Sequence, residues 1–168
     1  MKEIASGRYT AHIEGPFVVF ILGMRINRFW AFRKWFAVVK AMAPMMKELY
    51  THPETGFLGG RSSLTPWREI TVIQYWRSFE ALEHFARSKD SSHLPAWQQF
   101  NKSISPDGCV GIWHESFLVA DQQYEAIYHN MPIHGLAAAT EHVPLRRKGE
   151  TARQRLKQDV VPSTSGRW

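Results

Sequence analysis

The run that starts at Phe17 and ends at Ile26, Phe-Val-Val-Phe-Ile-Leu-Gly-Met-Arg-Ile, constrains the fold more than any other stretch of the chain. It is nearly all apolar, rich in β-branched and aromatic side chains, and preceded by the breaker pair Gly15-Pro16. A run this short, with these flanks, is expected to be a buried strand rather than a helix, and it is far too short to cross a bilayer. A chain with such a strand needs other strands beside it and something to cover it.

Those partners are legible further on. Ile70-Thr-Val-Ile-Gln-Tyr-Trp76 is the clearest strand signal, and Val110 to Val119 is another. Phe57 to Thr65 reads as a less regular strand in which Gly59-Gly60 marks a bulge or a close backbone approach. Pro66 to Glu69 and Asp107-Gly108 read as turns. Between the strands lie helical patterns. Arg28 to Tyr50 carries Phe32, Trp35 or Phe36, Val39, Met42, Met46 and Leu49 as its apolar stripe, with Arg33, Lys34, Lys40 and Lys47 off it. Asn27 is placed as its N-cap, and Pro44 is expected to break it. A basic, Trp-rich helix could also lie on a membrane surface, but a core helix with a solvated basic edge is the simpler reading. Ser78 opens a second helix to Arg87, and Leu94 to Ile104 resumes the pattern. Gly7 to Gly15 reads as a lead-in, and Tyr124 to Leu136 as a short helix or extended arm.

Strand, helix, strand, strand, helix, strand is the ferredoxin-like βαββαβ order, an α+β fold. Residues 1–144 are expected to form one domain with a C-terminal arm. Its strands carry large apolar residues on both faces, such as Val72 with Ile73 and Phe117 with Leu118. An open apolar sheet face is costly, so two sheets packed face to face, a homodimer, are expected. Charge is unevenly spread. Residues 145–168 hold seven basic and two acidic side chains, +5 of the chain's net +6, and are expected to be a disordered basic tail. With only +1 on the rest, the domain lacks the basic surface that nucleic-acid binding needs. One cysteine, Cys109, precludes an internal disulfide. With no apolar leader near Met1 and no spanning segment, a cytoplasmic protein is expected.

No strong catalytic signature appears: there is no P-loop, GxGxxG, HExxH or CxxC pair. The densest cluster of candidate chemistry is Trp113-His114-Glu115. Neighbours on a strand point to opposite faces, so His114 and Glu115 are not expected to act as one acid–base pair. His114 shares its side with Ile112, Ser116 and Leu118, and Glu115 shares its side with Trp113, Phe117 and Val119. His93, with Trp97 one turn on, is a candidate polar group at a pocket mouth. Gln74, Tyr75 and Trp76 offer polar and aromatic lining, and Arg61 could clamp an acidic group. The remaining histidines lack partners at metal-ligand spacing, and no metal site is expected.

Several segments together resemble a known family: Asn27-Arg28-Phe29-Trp30, Gly56-Phe57-Leu58-Gly59, Gln74-Tyr75-Trp76-Arg77-Ser78, His93-Leu94-Pro95-Ala96-Trp97, Gly111-Ile112-Trp113-His114-Glu115 and Glu125-Ala126-Ile127-Tyr128-His129-Asn130-Met131-Pro132. They are similar to a monooxygenase-like family of the dimeric α+β barrel superfamily, which includes a fungal fumagillin-pathway monooxygenase and stands beside the antibiotic-biosynthesis monooxygenases. The likeness runs over roughly residues 7–140 and omits the basic tail. It implies oxygenation of a small hydrophobic or aromatic metabolite without a cofactor, in a cavity between sheet and helices. His114 or Glu115 would be the base. Gln74, Tyr75 and His93 would position the substrate, and Trp76, Trp97 and Trp113 would shape the cavity. The superfamily's haem-binding branch, such as the aldoxime dehydratases, implies an alternative in which His114 or His93 ligates iron. A non-catalytic ligand-binding domain is the third reading.

Overall fold

The computed structural model describes residues 3–66, 68–88, 108–147 and 151–156. The long apolar run is strand β2 (Phe17–Ile26), preceded by β1 (Ala5–His12). Helix α1 (Phe32–Thr51) follows, then β3 (Phe57–Thr65), β4 (Glu69–Trp76), helix α2 (Phe79–Arg87) and β5 (Val110–Val119). Strands β2 to β5 form an antiparallel sheet in the order β3-β4-β2-β5. That is the ferredoxin-like order, with β2 held between β4 and β5. The helix predicted over Leu94 to Ile104, with His93 and Trp97, lies outside the described residues.

One face of this sheet carries the helices. Val18, Leu49, Phe57, Trp76, Leu82 and Phe85 form a buried cluster there, and a second cluster joins Met24 and Ile26 to Val38, Cys109 and Val110. Burying side chains of this size removes roughly 1.5–3 kcal/mol of unfavourable hydration each. Ser78 caps α2 by accepting a hydrogen bond from the Ala81 amide at 3.2 Å, as its position before Phe79 predicted.

Helix α1 departs from expectation in three ways. It runs through Pro44 without breaking. A proline in a helix interior costs about 3 kcal/mol, and the buried Leu49, with Met45 and Met46 packed beside it, holds the second half against the sheet. The helix begins at Phe32, not after Asn27, whose side-chain amide instead donates to the Gly108 carbonyl at 3.0 Å. Trp35 is the aromatic that turns inward, with its indole N–H on the Phe29 carbonyl at 3.1 Å. Phe32 and Phe36 are left on the outside.

The lead-in and the arm are also more structured than the sequence indicated. After β5 come β6 (Tyr128–Met131), the short helix α3 (Leu136–Ala139) and β7 (Glu141–Pro144). They join β1 in a second antiparallel sheet, β6-β1-β7. This small sheet and α3 cover one end of the large sheet's other face, where Ala11, Ile13, Phe17, Leu136 and Ala137 are buried with Val19, Leu58, Tyr75 and Val119 against them. Gly59 allows the approach. It sits at φ 152°, and a Cβ there would lie 2.9 Å from the Ala139 Cβ. The ladder also shifts register between Phe57 and Gly59, so the predicted bulge and close approach coincide.

The segment expected to be a disordered tail starts as ordered chain. Leu145 is buried, and Leu145–Arg147 forms a 3-10 turn. Helix α4 (Ala152–Arg155) has a capping box between Thr151 and Gln154. Arg155 pairs with Glu125 of the arm, which ties this helix to the domain. Among the described residues, no helix is long and apolar enough to cross a membrane.

Candidate functional site

The ladder between β2 and β5 decides where the candidate residues point. It pairs Leu22 with His114 and Ile21 with Glu115, so the two lie on opposite faces, as alternation requires. Phe20 belongs to the helix-side cluster, and its ring centroid lies 5.6 Å from that of His114. His114 therefore faces the helix side, with Ile112, Ser116 and Leu118 on its strand. Glu115 faces the other side with Trp113 and Phe117. Strand β5 is the sheet's edge, and both His114 and Glu115 are exposed there.

Strand β4 divides its three candidates in the same way. Gln74 and Trp76 point to the helix side. Trp76 is fully buried, with its indole N–H donating to Gln74 Oε1 at 3.0 Å. Gln74 is 2 % exposed, and its amide nitrogen lies 3.6 Å from Met46 Sδ. Both ends of the Gln74 amide thus have partners inside the core, and the pair forms part of the floor beneath the helices. Tyr75 points to the opposite face, toward α3. Trp113 lies flat across Gly23 on that face. A Cβ at Gly23 would come within 2.6 Å of the indole, so only glycine leaves room for the ring.

A second group, scattered in sequence, gathers beside Tyr75. Arg61 of β3 donates to His134 Nε2 at 2.9 Å. Tyr128 accepts a hydrogen bond from the Ala137 amide at 3.3 Å. Gly135, at φ 58°, fits beneath both phenols; a Cβ there would meet Tyr128 Oη at 3.3 Å and Tyr75 Oη at 3.6 Å. Burial holds the Tyr75 phenol above its ordinary pKa, the Tyr128 phenol adds to that, and the Arg61 guanidinium opposes it. Only Tyr75 and Arg61 of this group were candidates from the sequence. His134 and Gly135 fell within the stretch read as a short helix or extended arm, and the signal there is Gly135, whose positive φ favours glycine.

The structure therefore does not bring all the described candidates into one pocket. Gln74, Trp76 and His114 share the helix side. Tyr75, Trp113 and Glu115 share the opposite side, and His93 and Trp97 fall outside the described residues. A water-sized crevice between Thr10, Tyr124 and Arg155 holds none of them. Among the described residues, no group of three or more histidine, cysteine or acidic side chains is arranged to hold a metal ion.

Comparison with known proteins gives this geometry a context. The chain is 27% identical over 158 residues to Monooxygenase af470 of Aspergillus fumigatus, across 77% of this chain and 53% of that protein. It thus spans about half the length of that curated relative. Its fold matches the crystal structure of aldoxime dehydratase OxdRE in complex with butyraldoxime, with a TM-score of 0.59 and 12% identity over 90% of this chain and 43% of that one. A second aldoxime dehydratase structure gives a TM-score of 0.42 at 14% identity, over 83% of this chain and 44% of that one. The strand order makes the fold α+β and ferredoxin-like, and it is the fold shared with aldoxime dehydratase OxdRE. Residues 17–136, from the first strand of the large sheet to the start of α3, match the Monooxygenase af470-like family, and the chain belongs to that family.

Proposed function

We propose that this chain is a monooxygenase that needs no cofactor, with His114 as its base and a small hydrophobic or aromatic metabolite as its substrate. The observation that carries the reading is the side of the sheet His114 takes. It stands with Phe20 on the helix-bearing face, the face that also carries the buried Trp76–Gln74 pair. Histidine is the side-chain type best suited to take a proton near neutral pH. The chemistry asks little else of the protein. Removing a proton from an acidic CH2 of the substrate gives a carbanion that can pass an electron to dioxygen. Carbon–oxygen bond formation followed by loss of water leaves C=O, so CH2 and O2 become C=O and H2O with no outside reductant. The carbanion also has to be kept from competing water, which calls for apolar walls around the bound substrate.

The other face has a different role in this reading. Phe117 is 50 % exposed there, on the same face as Trp113 and Ile21, and a second copy of the chain is the proposed cover. Glu115 would then lie at the interface rather than at the reacting carbon.

The test is oxygen uptake with phenolic and enolisable aromatic substrates. His114→Ala is expected to cut kcat by about 10²–10⁴-fold, the usual worth of a general base, while Glu115→Gln retains most activity. The opposite pattern moves the base to Glu115 and the chemistry to the other face. A Soret band in the purified protein that His114→Ala removes would overturn cofactor independence in favour of haem. Absence of uptake across the panel would favour a ligand-binding domain.

A further inference from the structure

The outward side of α1 carries side chains that neither the core nor the candidate site uses. Phe32 is 60 % exposed and Phe36 58 %, although both fit an apolar stripe on paper. Trp30, just before the helix, is 79 % exposed, the largest exposure of any large apolar side chain among the described residues. Arg33, Lys40 and Lys47 are exposed on the same helix, and no acidic residue is exposed on it among the described positions. At 3.6 residues per turn, Phe32 and Phe36 fall within about 40° of each other, and the three cations occupy the adjoining arc of about 40°. Arg68, stacked on the Phe29 ring at 5.1 Å, adds a further cation near the same end.

We propose that this face docks on an anionic lipid surface. Aromatic side chains beside a row of cations match the two layers of a membrane interface, the acyl boundary and the phosphate headgroups. The exposed charge of the patch has one sign, which fits an anionic surface better than it fits a second copy of the same cationic face. Helix α1 would lie in the plane of the headgroups, with Trp30, Phe32 and Phe36 inserted and Arg33, Lys40 and Lys47 over phosphates. This attachment is peripheral and reversible, and it stands independently of the oxygenase reading.

The test uses the full chain with vesicles of phosphatidylcholine alone and of phosphatidylcholine mixed with phosphatidylglycerol. Cosedimentation is expected with the mixed vesicles only, and raised salt should weaken it. Combined Arg33→Glu, Lys40→Glu and Lys47→Glu should lower partitioning at least about tenfold, since each basic side chain contributes separately at a charged surface. Combined Trp30→Ala, Phe32→Ala and Phe36→Ala should also lower it, with the melting temperature of each variant confirming its fold. The basic tail is the competing source of attraction, so Arg153→Glu with Lys157→Glu should leave most of the binding. Failure to bind anionic vesicles overturns the proposal, as does loss of binding in the tail variant alone. So does a fall in the solution mass of the lipid-free α1 variants, which would make this face an interface between copies.

Discussion

The two faces of the large sheet are built from the same four strands, yet they are completed differently. On the helix face, Trp76, Val18, Val72 and Met24 are buried by α1, α2 and one another. Among the described residues the opposite face is closed over only part of its length, where the small sheet and α3 cover Phe17, Val19, Tyr75 and Val119. Past that cover, toward Phe117 and Glu115, exposed side chains remain. Backbone pairing is continuous across both, so the difference comes from cover and not from strand geometry. Stability should therefore be concentrated on one face and association on the other.

The largest effect expected from that contrast is at Trp76. Its ring stands 5.5 Å from those of both Phe57 and Phe85. Trp76→Ala should cost about 3–5 kcal/mol and show as a lowered urea midpoint. It also strips Gln74 Oε1 of its donor, which adds to the loss. A midpoint close to that of the parent would mean that the helix face is not where the fold's stability lies.

The next effect is one of association. Phe117→Asp should change monomer stability by less than about 0.5 kcal/mol, as exposed substitutions do. If the second copy covers the open face, the same change should abolish the dimer in light scattering. Leu118→Asp, one residue along and pointing to the other side, should leave the dimer intact. Equal behaviour of the two variants would remove the distinction between the faces.

How much of this was legible in the sequence depended on how local its causes were. β2, β4 and β5 announce themselves because β-branched runs bounded by breakers carry their own signal, and β5 was placed to the residue. Ser78 and Gly59 were legible because a cap and a close approach each demand a particular residue type. The strand β1, Ala-Ser-Gly-Arg-Tyr-Thr-Ala-His, has no such signal, and its partners Tyr128–Met131 and Glu141–Pro144 lie more than a hundred residues away. In α1, Phe32 and Phe36 fitted the apolar period as well as Trp35 did, and only the position of the sheet chooses between them. At the candidate site, alternation was enough to separate His114 from Glu115. It could not foresee that Gln74 would be spent on Trp76, or that Arg61 would meet a histidine 73 residues later.

The smallest effect concerns the phenols at the junction of the two sheets. Burial is the main cause that raises both Tyr75 and Tyr124; for Tyr124 the Ile13 amide hydrogen bond opposes it and Asp121 adds to it. In the unfolded chain both phenols ionise near the usual pKa of about 10. A raised folded value means that the unfolded state gives up its proton first. The stability these groups carry is therefore complete below about pH 10 and declines as pH rises through the folded value. Tyr75→Phe removes one of the two proton-release steps, so its stability should fall less steeply with pH above 10 than the parent's, measured by urea unfolding across that range. Near neutral pH the variant should lie within about 1 kcal/mol of the parent, since only one hydroxyl is lost. Tyr124→Phe should flatten the alkaline slope too, but at a greater cost at neutral pH, because its hydroxyl accepts the Ile13 amide at 3.0 Å. If Tyr75→Phe leaves the alkaline slope unchanged, the Tyr75 phenol is open to solvent. The small sheet would then cover less of that face than its packing implies, and the unfinished part of the sheet would begin at Tyr75 rather than beyond it.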